Sequence, residues 1–224
     1  MSLVSKNDKS ITISNTLTDT LRDAIITGEI KQGSKLSETK LANELDVSRG
    51  PLREAIRRLE GINLIHYAPQ QGARVVTLNL DLILQIYDTR EALESKAAAL
   101  ASINMNSREI DELNRAVDKQ NKHLKENGTS IVPAESDYVF HALIIRGSKN
   151  RVIEQALLRE LYYLIKMFRY QNDNYITSSS NALIEHRQIA YAIQQRDPLL
   201  AETAMRQHIK HASDRIKKHF VVTH

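Results

Sequence analysis

The spacing of apolar positions divides the chain into a punctuated first third and a long helical remainder. Leu17, Leu21, Ala24 and Ile25 recur at helical intervals and predict a first helix that ends at Gly28. Ser37 is placed to cap a second helix, with Glu38 facing the positive end of its dipole and Leu41, Ala42 and Leu45 as the buried side. After the tight link Asp46-Val47, Ser48 caps a third helix. Pro51 is tolerated in its first turn, where backbone amides have no intrahelical partner. Leu52, Ala55, Ile56 and Leu59 fall at i, i+3, i+4 and i+7 and form its core stripe. Asn63 stands where a left-handed C-terminal residue is expected. Ile65–Tyr67 and Arg74–Thr77 then predict two short strands around the turn Pro69-Gln70-Gln71-Gly72.

From Asp81 onward Gly and Pro become sparse, and six helical stripes follow: 81–102, 107–127, 133–146, 150–170, 180–195 and 197–220. The first carries Ile83, Ile86, Tyr87, Arg90, Leu93, Ala97 and Leu100; Ser178–Ser180 reads as a loop and cap before the fifth. The predicted fold is mainly α, an N-terminal winged helix-turn-helix over 11–78 and a C-terminal antiparallel all-α bundle over 79–221.

Composition narrows the function classes. Of 224 residues, 42% are hydrophobic and 26% charged, which excludes a wholly disordered or collagen-like chain. With no cysteine there is no disulfide framework, thiolate nucleophile or cysteine-ligated metal. No stretch approaches the length of a membrane span, and Met1–Ser10 lacks the apolar core of a signal peptide, so a cytoplasmic location is expected. The net charge of +4 says little by itself. Its distribution says more: Arg49, Arg53, Arg57, Arg58 and Arg74 crowd residues 49–74 against only Glu54 and Glu60.

Arg49, Arg53 and Arg57 follow at i+4 intervals along the flank of the third helix, beside its apolar stripe. A helix fits the major groove, and arginine's planar fork matches guanine or a phosphate with two hydrogen bonds. Ser48 and the free amides at the helix start suit a phosphate, and Arg74 and His66 on the hairpin suit the backbone or minor groove. The runs Ile26–Glu38, Leu41-Ala42, Val47–Ile56 and Gly72–Val75 closely resemble the winged helix of GntR-family bacterial transcription regulators. That resemblance implies that Ser48, Arg49 and Arg53 contact operator DNA and that Gly72 lets the wing tip approach it. Where the family often has arginine after Ser37-Glu38, Thr39-Lys40 stands here, with Lys40 suited to a phosphate.

In the second domain the informative residues are polar ones on inward stripes. Asp137 and His141 lie one turn apart on one helix face, and His186 and His208 occupy apolar-stripe positions of later helices. A buried carboxylate is costly unless paired or metal-bound. Three imidazoles and one carboxylate suit a divalent transition metal, zinc foremost, with nickel, manganese or iron as alternatives. For any one of these histidines a hydrogen-bonded core residue is the simpler reading; the set of four favours a metal. His211, one turn from His208, is a possible substitute. Asp137–His141, Asn150, Glu185–Arg187 and Met205–His208 are similar to the FCD ligand-binding domain of the FadR-like branch of GntR regulators, in its six-helix VanR-type form. The resemblance implies that Asp137, His141, His186 and His208 bind the metal and that a small organic acid effector sits on it.

Arg90 lies on a buried stripe, where a guanidinium needs an anion. Glu94, one turn on, is one candidate; an effector carboxylate is the other, and the family resemblance favours it. The expected protein is a homodimeric repressor of double-stranded operator DNA with two-fold symmetry, its operator binding controlled by the effector. Two rival uses of the Asp/His site are a metal-dependent hydrolytic enzyme and a direct metal sensor; a structural metal is a third alternative.

Overall fold

The computed structural model describes residues 5–68, 70–128, 132–171 and 180–223. Pro69 of the expected wing turn and Ser178–Ser179 of the expected cap lie outside these residues. In chain order the elements are α1 (Ser5–Thr27), α2 (Glu38–Glu44), α3 (Arg49–Glu60), β1 (Ile65–Ala68), β2 (Gly72–Val75), α4 (Leu80–Asn104), α5 (Ser107–Asn127), α6 (Ala134–Gly147), α7 (Arg151–Gln155), a π-helical turn (Ala156–Glu160), α8 (Tyr162–Gln171), α9 (Ser180–Gln194) and α10 (Pro198–Thr223). They form two compact units, Met1–Leu78 with Glu160–Gln171, and Asn79–Arg159 with Asn172–His224.

The first unit is built as its sequence pattern dictates. Leu17, Leu21, Ile25 and Ile26 of α1 are buried, as are Leu52, Ala55, Ile56 and Leu59 of α3. Ser37 caps α2 by accepting a hydrogen bond from the Lys40 amide. Asp46 in the link and Asn63 after α3 both have positive φ, at 51° and 60°, which short polar side chains tolerate. In α2 only Ala42 is buried. Leu45, expected on the buried side, instead forms the C-cap and is 37% exposed, because the helix ends after seven residues.

The wing pairs Ile65 with Val75, His66 with Arg74, Tyr67 with Ala73 and Ala68 with Gly72 in antiparallel register. An isolated bridge from Lys35 to Arg74 adds a third short edge. Gly72, at φ 83°, makes the turn with backbone that an L side chain would strain.

In the second unit α4 packs along α10, and α9 lies against α5, α4 and α10. Asn79 caps α4 and Asn106 closes a capping box with Glu109 at the start of α5. The core face of α4 differs from the expected stripe: Glu94 is buried where Leu93 was expected, and Leu93 and Leu100 are half-buried. The single helix expected over 150–170 is broken. A π-helical turn at Ala156–Glu160 holds an extra residue and a bend follows at Leu161, so that α8 packs with α1 of the first unit.

Candidate functional site

Helix α6 carries Asp137 and His141 one turn apart, α9 carries His186 and α10 carries His208. All four are buried, and one donor atom from each lies within 4.8 Å of the others. The Nε2 atoms of His208 and His141 are 3.3 Å apart. His141 Nε2 is 3.8 Å from one Asp137 oxygen, and His186 Nε2 is 3.5 Å from the other. Donors that share a transition ion at about 2.0–2.2 Å stand no more than roughly 4.4 Å from one another. These three separations meet that limit.

Each imidazole is oriented from behind. His141 Nδ1 lies 2.5 Å from Glu94 Oε2, His186 Nδ1 lies 2.8 Å from Gln120 Oε1, and His208 Nδ1 lies 2.7 Å from Glu185 Oε2. A carboxylate only accepts, and Gln120 turns its oxygen to His186 because its Nε2 donates to the Ser136 carbonyl at 2.9 Å. The ring proton of each histidine therefore belongs on Nδ1. This turns Nε2 of each ring toward the shared centre, the arrangement by which outer partners aim metal ligands. Phe140 stacks on His186 with centroids 4.1 Å apart, which restricts that ring further.

The electrostatics agree. Burial lowers the His208 pKa, against the opposing hydrogen bond to Glu185, and so favours its neutral form. Burial would raise the Glu94 pKa, but the Arg90 guanidinium and His141 outweigh it and hold this carboxyl well below the usual range. Glu185, although partly buried, is likewise lowered by its hydrogen bonds to His208 and His211. Arg90 offsets Glu94 and Arg215 acts on Glu185, so the Asp137 carboxylate is a negative group at the cluster that a dication would offset. Chemically the donor set fits a divalent transition metal with mixed nitrogen and oxygen ligation.

Arg90 Nε is paired with Glu94 Oε1 at 2.6 Å, and its guanidinium lies over the Tyr87 ring, 4.8 Å from the centroid. Of the two partners weighed for Arg90, the internal one is present. His211 does not stand in for His208. It is exposed and holds the second oxygen of Glu185 at 2.7 Å, beside an open surface pocket of about 380 Å³.

Sequence reading placed the four donors but missed Gln120 and Glu185 as their orienting partners, and gave Glu94 only to Arg90. Gln120 did carry a signal, since it continues the Ile110, Leu113, Val117 stripe and is fully buried.

On the first unit, Ser48 occupies the N-cap position of α3 with no side-chain capping bond, so its hydroxyl is not used by the helix. Ser48, Arg49 and Arg57 are exposed, and Arg53 is exposed with Nε 3.2 Å from Glu38. Lys40 is exposed, with Nζ 3.6 Å from Glu44. Arg74 is half-buried, and its guanidinium donates to the Gly33 carbonyl at 2.8 Å, bracing the loop against the wing.

The FCD domain family matches residues 85–211, and the gntR family of bacterial regulatory proteins matches residues 13–75. The chain belongs to the GntR family, in its FCD-bearing, FadR-like branch. It is 26% identical over 199 residues to the "Uncharacterized HTH-type transcriptional regulator YdhC" of Bacillus subtilis, covering 88% of each chain. It is 27% identical over 212 residues to the "Probable D-xylose utilization operon transcriptional repressor" of Paenarthrobacter nicotinovorans, covering 93% of this chain and 91% of that one. The fold is also that of E. coli McbR/YncC, with a TM-score of 0.72 and 19% identity over 93% of this chain and 98% of the other. This GntR/FCD protein is a DNA-binding transcription regulator, and its relatives are regulators rather than enzymes. No helix among the described residues is long and apolar enough to cross a membrane.

Proposed function

We propose that this GntR/FCD regulator is a homodimeric, cytoplasmic repressor whose operator binding is controlled by a small organic acid at a divalent metal held by Asp137, His141, His186 and His208. The observation that carries this reading is the convergence of four buried donors whose three imidazoles are each turned Nε2-inward by a separate outer partner. Zinc is the favoured ion for that donor set. A bound dication supplies a positive centre at which a carboxylate is stabilised.

The chain's own groups do the remaining work. Arg90 is the second anchor for the effector, since a planar guanidinium matches a carboxylate with two hydrogen bonds and Arg90 is joined through Glu94 to the metal ligand His141. Glu94 joins Arg90 to His141 through its two oxygens, so an acid that reorganises Arg90 is felt at a metal ligand. On DNA, α3 enters the major groove. Ser48, Arg49, Arg53 and Arg57 are the reading and phosphate-binding groups, Lys40 is a further phosphate contact, and Gly72 lets the wing approach. The placement of Arg74 supports a bracing role for it over direct contact. A dimer presents two such helices to the half-sites of a two-fold operator.

The test is a thermal-shift and operator-binding screen of small carboxylates against zinc-loaded and chelated protein. The reading expects an acid that raises the melting temperature and releases DNA only when zinc is present. DNA binding that follows metal alone, with no acid, makes the protein a direct metal sensor instead. Acids that act equally on the chelated protein contradict the metal-centred reading.

A further inference from the structure

The three histidines of the cluster are not oriented alike. His141 and His208 donate to carboxylates, whereas His186, fully buried, donates to the neutral amide of Gln120. Gln120 is also fully buried, on α5. The same amide donates in the other direction to the carbonyl of Ser136, one residue before Asp137 in the first turn of α6. One planar group thus sits between two of the four candidate ligands. It fixes His186 through the ring nitrogen and Asp137 through the backbone beside it.

Few side chains can fill this position. A carboxylate would accept from His186 but would set an acceptor against the Ser136 carbonyl oxygen. An apolar side chain of equal length would leave the His186 Nδ1 proton unsatisfied in a dry interior and would take from the Ser136 carbonyl the second hydrogen bond it accepts beside that of its own helix. A shorter amide spans less than the distance between them. Gln120 accepts and donates at once with the required reach, and the helices that carry the three residues pack around it: α5 lies against both α6 and α9.

We infer that Gln120 is a positioning residue of the metal centre, holding His186 with Nε2 inward and fixing the first turn of α6 that presents Asp137. The inference rests on the metal reading proposed above. Its test compares the full-length wild type with Gln120→Met and Gln120→Glu, using zinc retention against a competing chelator and the visible absorption of the cobalt(II)-substituted protein. Far-UV circular dichroism reports the fold of each.

Gln120→Met is expected to hold zinc about 10–100-fold less tightly and to change the cobalt spectrum. Gln120→Glu, which keeps an acceptor for His186 but loses the tie to Ser136, is expected to fall between that variant and the wild type. If Gln120→Met does not fold, Gln120→Asn takes its place with the same expected loss. A folded Gln120→Met, or Gln120→Asn in its stead, that matches the wild type in both readouts overturns the inference, as does a Gln120→Glu protein no better than Gln120→Met. A folded wild type that takes up neither zinc nor cobalt overturns the metal reading itself, so the two failures are told apart.

Discussion

His141 Nε2 and His208 Nε2 face each other across 3.3 Å, while Nδ1 of each ring is turned outward onto a glutamate. With the ring protons on Nδ1, two lone pairs meet at that distance, which is unfavourable unless an electrophile lies between them. His186 and Asp137 enclose the same point from the other side, so four polar donors converge on one place in the bundle. The bundle is compact around them, with Phe140 and Ile144 of α6 and Ile189 of α9 all fully buried.

Glu94 is the residue on which this arrangement most visibly depends. Glu94→Ala removes the carboxylate paired with the buried Arg90 guanidinium and the acceptor that orients His141. Loss of one partner of a buried pair costs about 3–5 kcal/mol, to be read by urea denaturation of the zinc-free protein. In the same variant zinc affinity is expected to drop about 10–100-fold. Glu94→Gln keeps an acceptor of the same size and is expected to lose less on both counts; equal losses in the two variants would argue that volume, not the acceptor, matters there.

Arg53 is expected to behave in the opposite way. It is a surface residue of α3 whose ion pair with Glu38 is 53% and 22% exposed, so Arg53→Ala should change folding stability by no more than about 0.5 kcal/mol. Operator affinity should fall by about 1–3 kcal/mol, and the slope of log affinity against log salt should decrease by about one if the contact is to phosphate. An unchanged gel shift would remove Arg53 from the reading surface.

How far the residues announced this fold depends on whether the signal was local. The cap of α2, the left-handed Asn63 and the four-residue stripe of α3 follow from short-range chemistry, and all are present. The Asp137/His141 pair is likewise local to one helix. His186 and His208 were recognisable because a histidine on an apolar stripe needs an explanation. What periodicity does not encode is which helix faces which. Gln120 and Glu185 act across sequence separations of 66 and 23 residues, so their roles appear only once α5, α9 and α10 are packed. The π-helical turn was hidden for a related reason: Ile153, Leu157, Leu161 and Leu164 fit an unbroken helix, and the destination of α8 breaks it.

That destination can be tested at Gln171. The last residue of α8 donates from Nε2 to the Ile25 carbonyl at 2.8 Å and to the Ile26 carbonyl at 3.3 Å, two of the last four carbonyls of α1. Its oxygen accepts from Gln32 at 2.7 Å, and Gln32 in turn accepts from the Leu78 amide at 2.8 Å. Gln171→Ala is expected to destabilise the chain by about 1 kcal/mol in chemical denaturation. A midpoint and slope identical to the wild type would show that this amide does not hold the end of α1.

Zinc K-edge absorption spectroscopy of the zinc-loaded, full-length protein tests the central claim most directly. The account predicts one zinc per chain, with nitrogen and oxygen neighbours at about 2.0–2.1 Å and outer-shell scattering from three imidazole rings, reduced to two in His186→Ala. A zinc-exposed protein that stays folded and binds no stoichiometric ion, or a spectrum unaltered by His186→Ala, would contradict it.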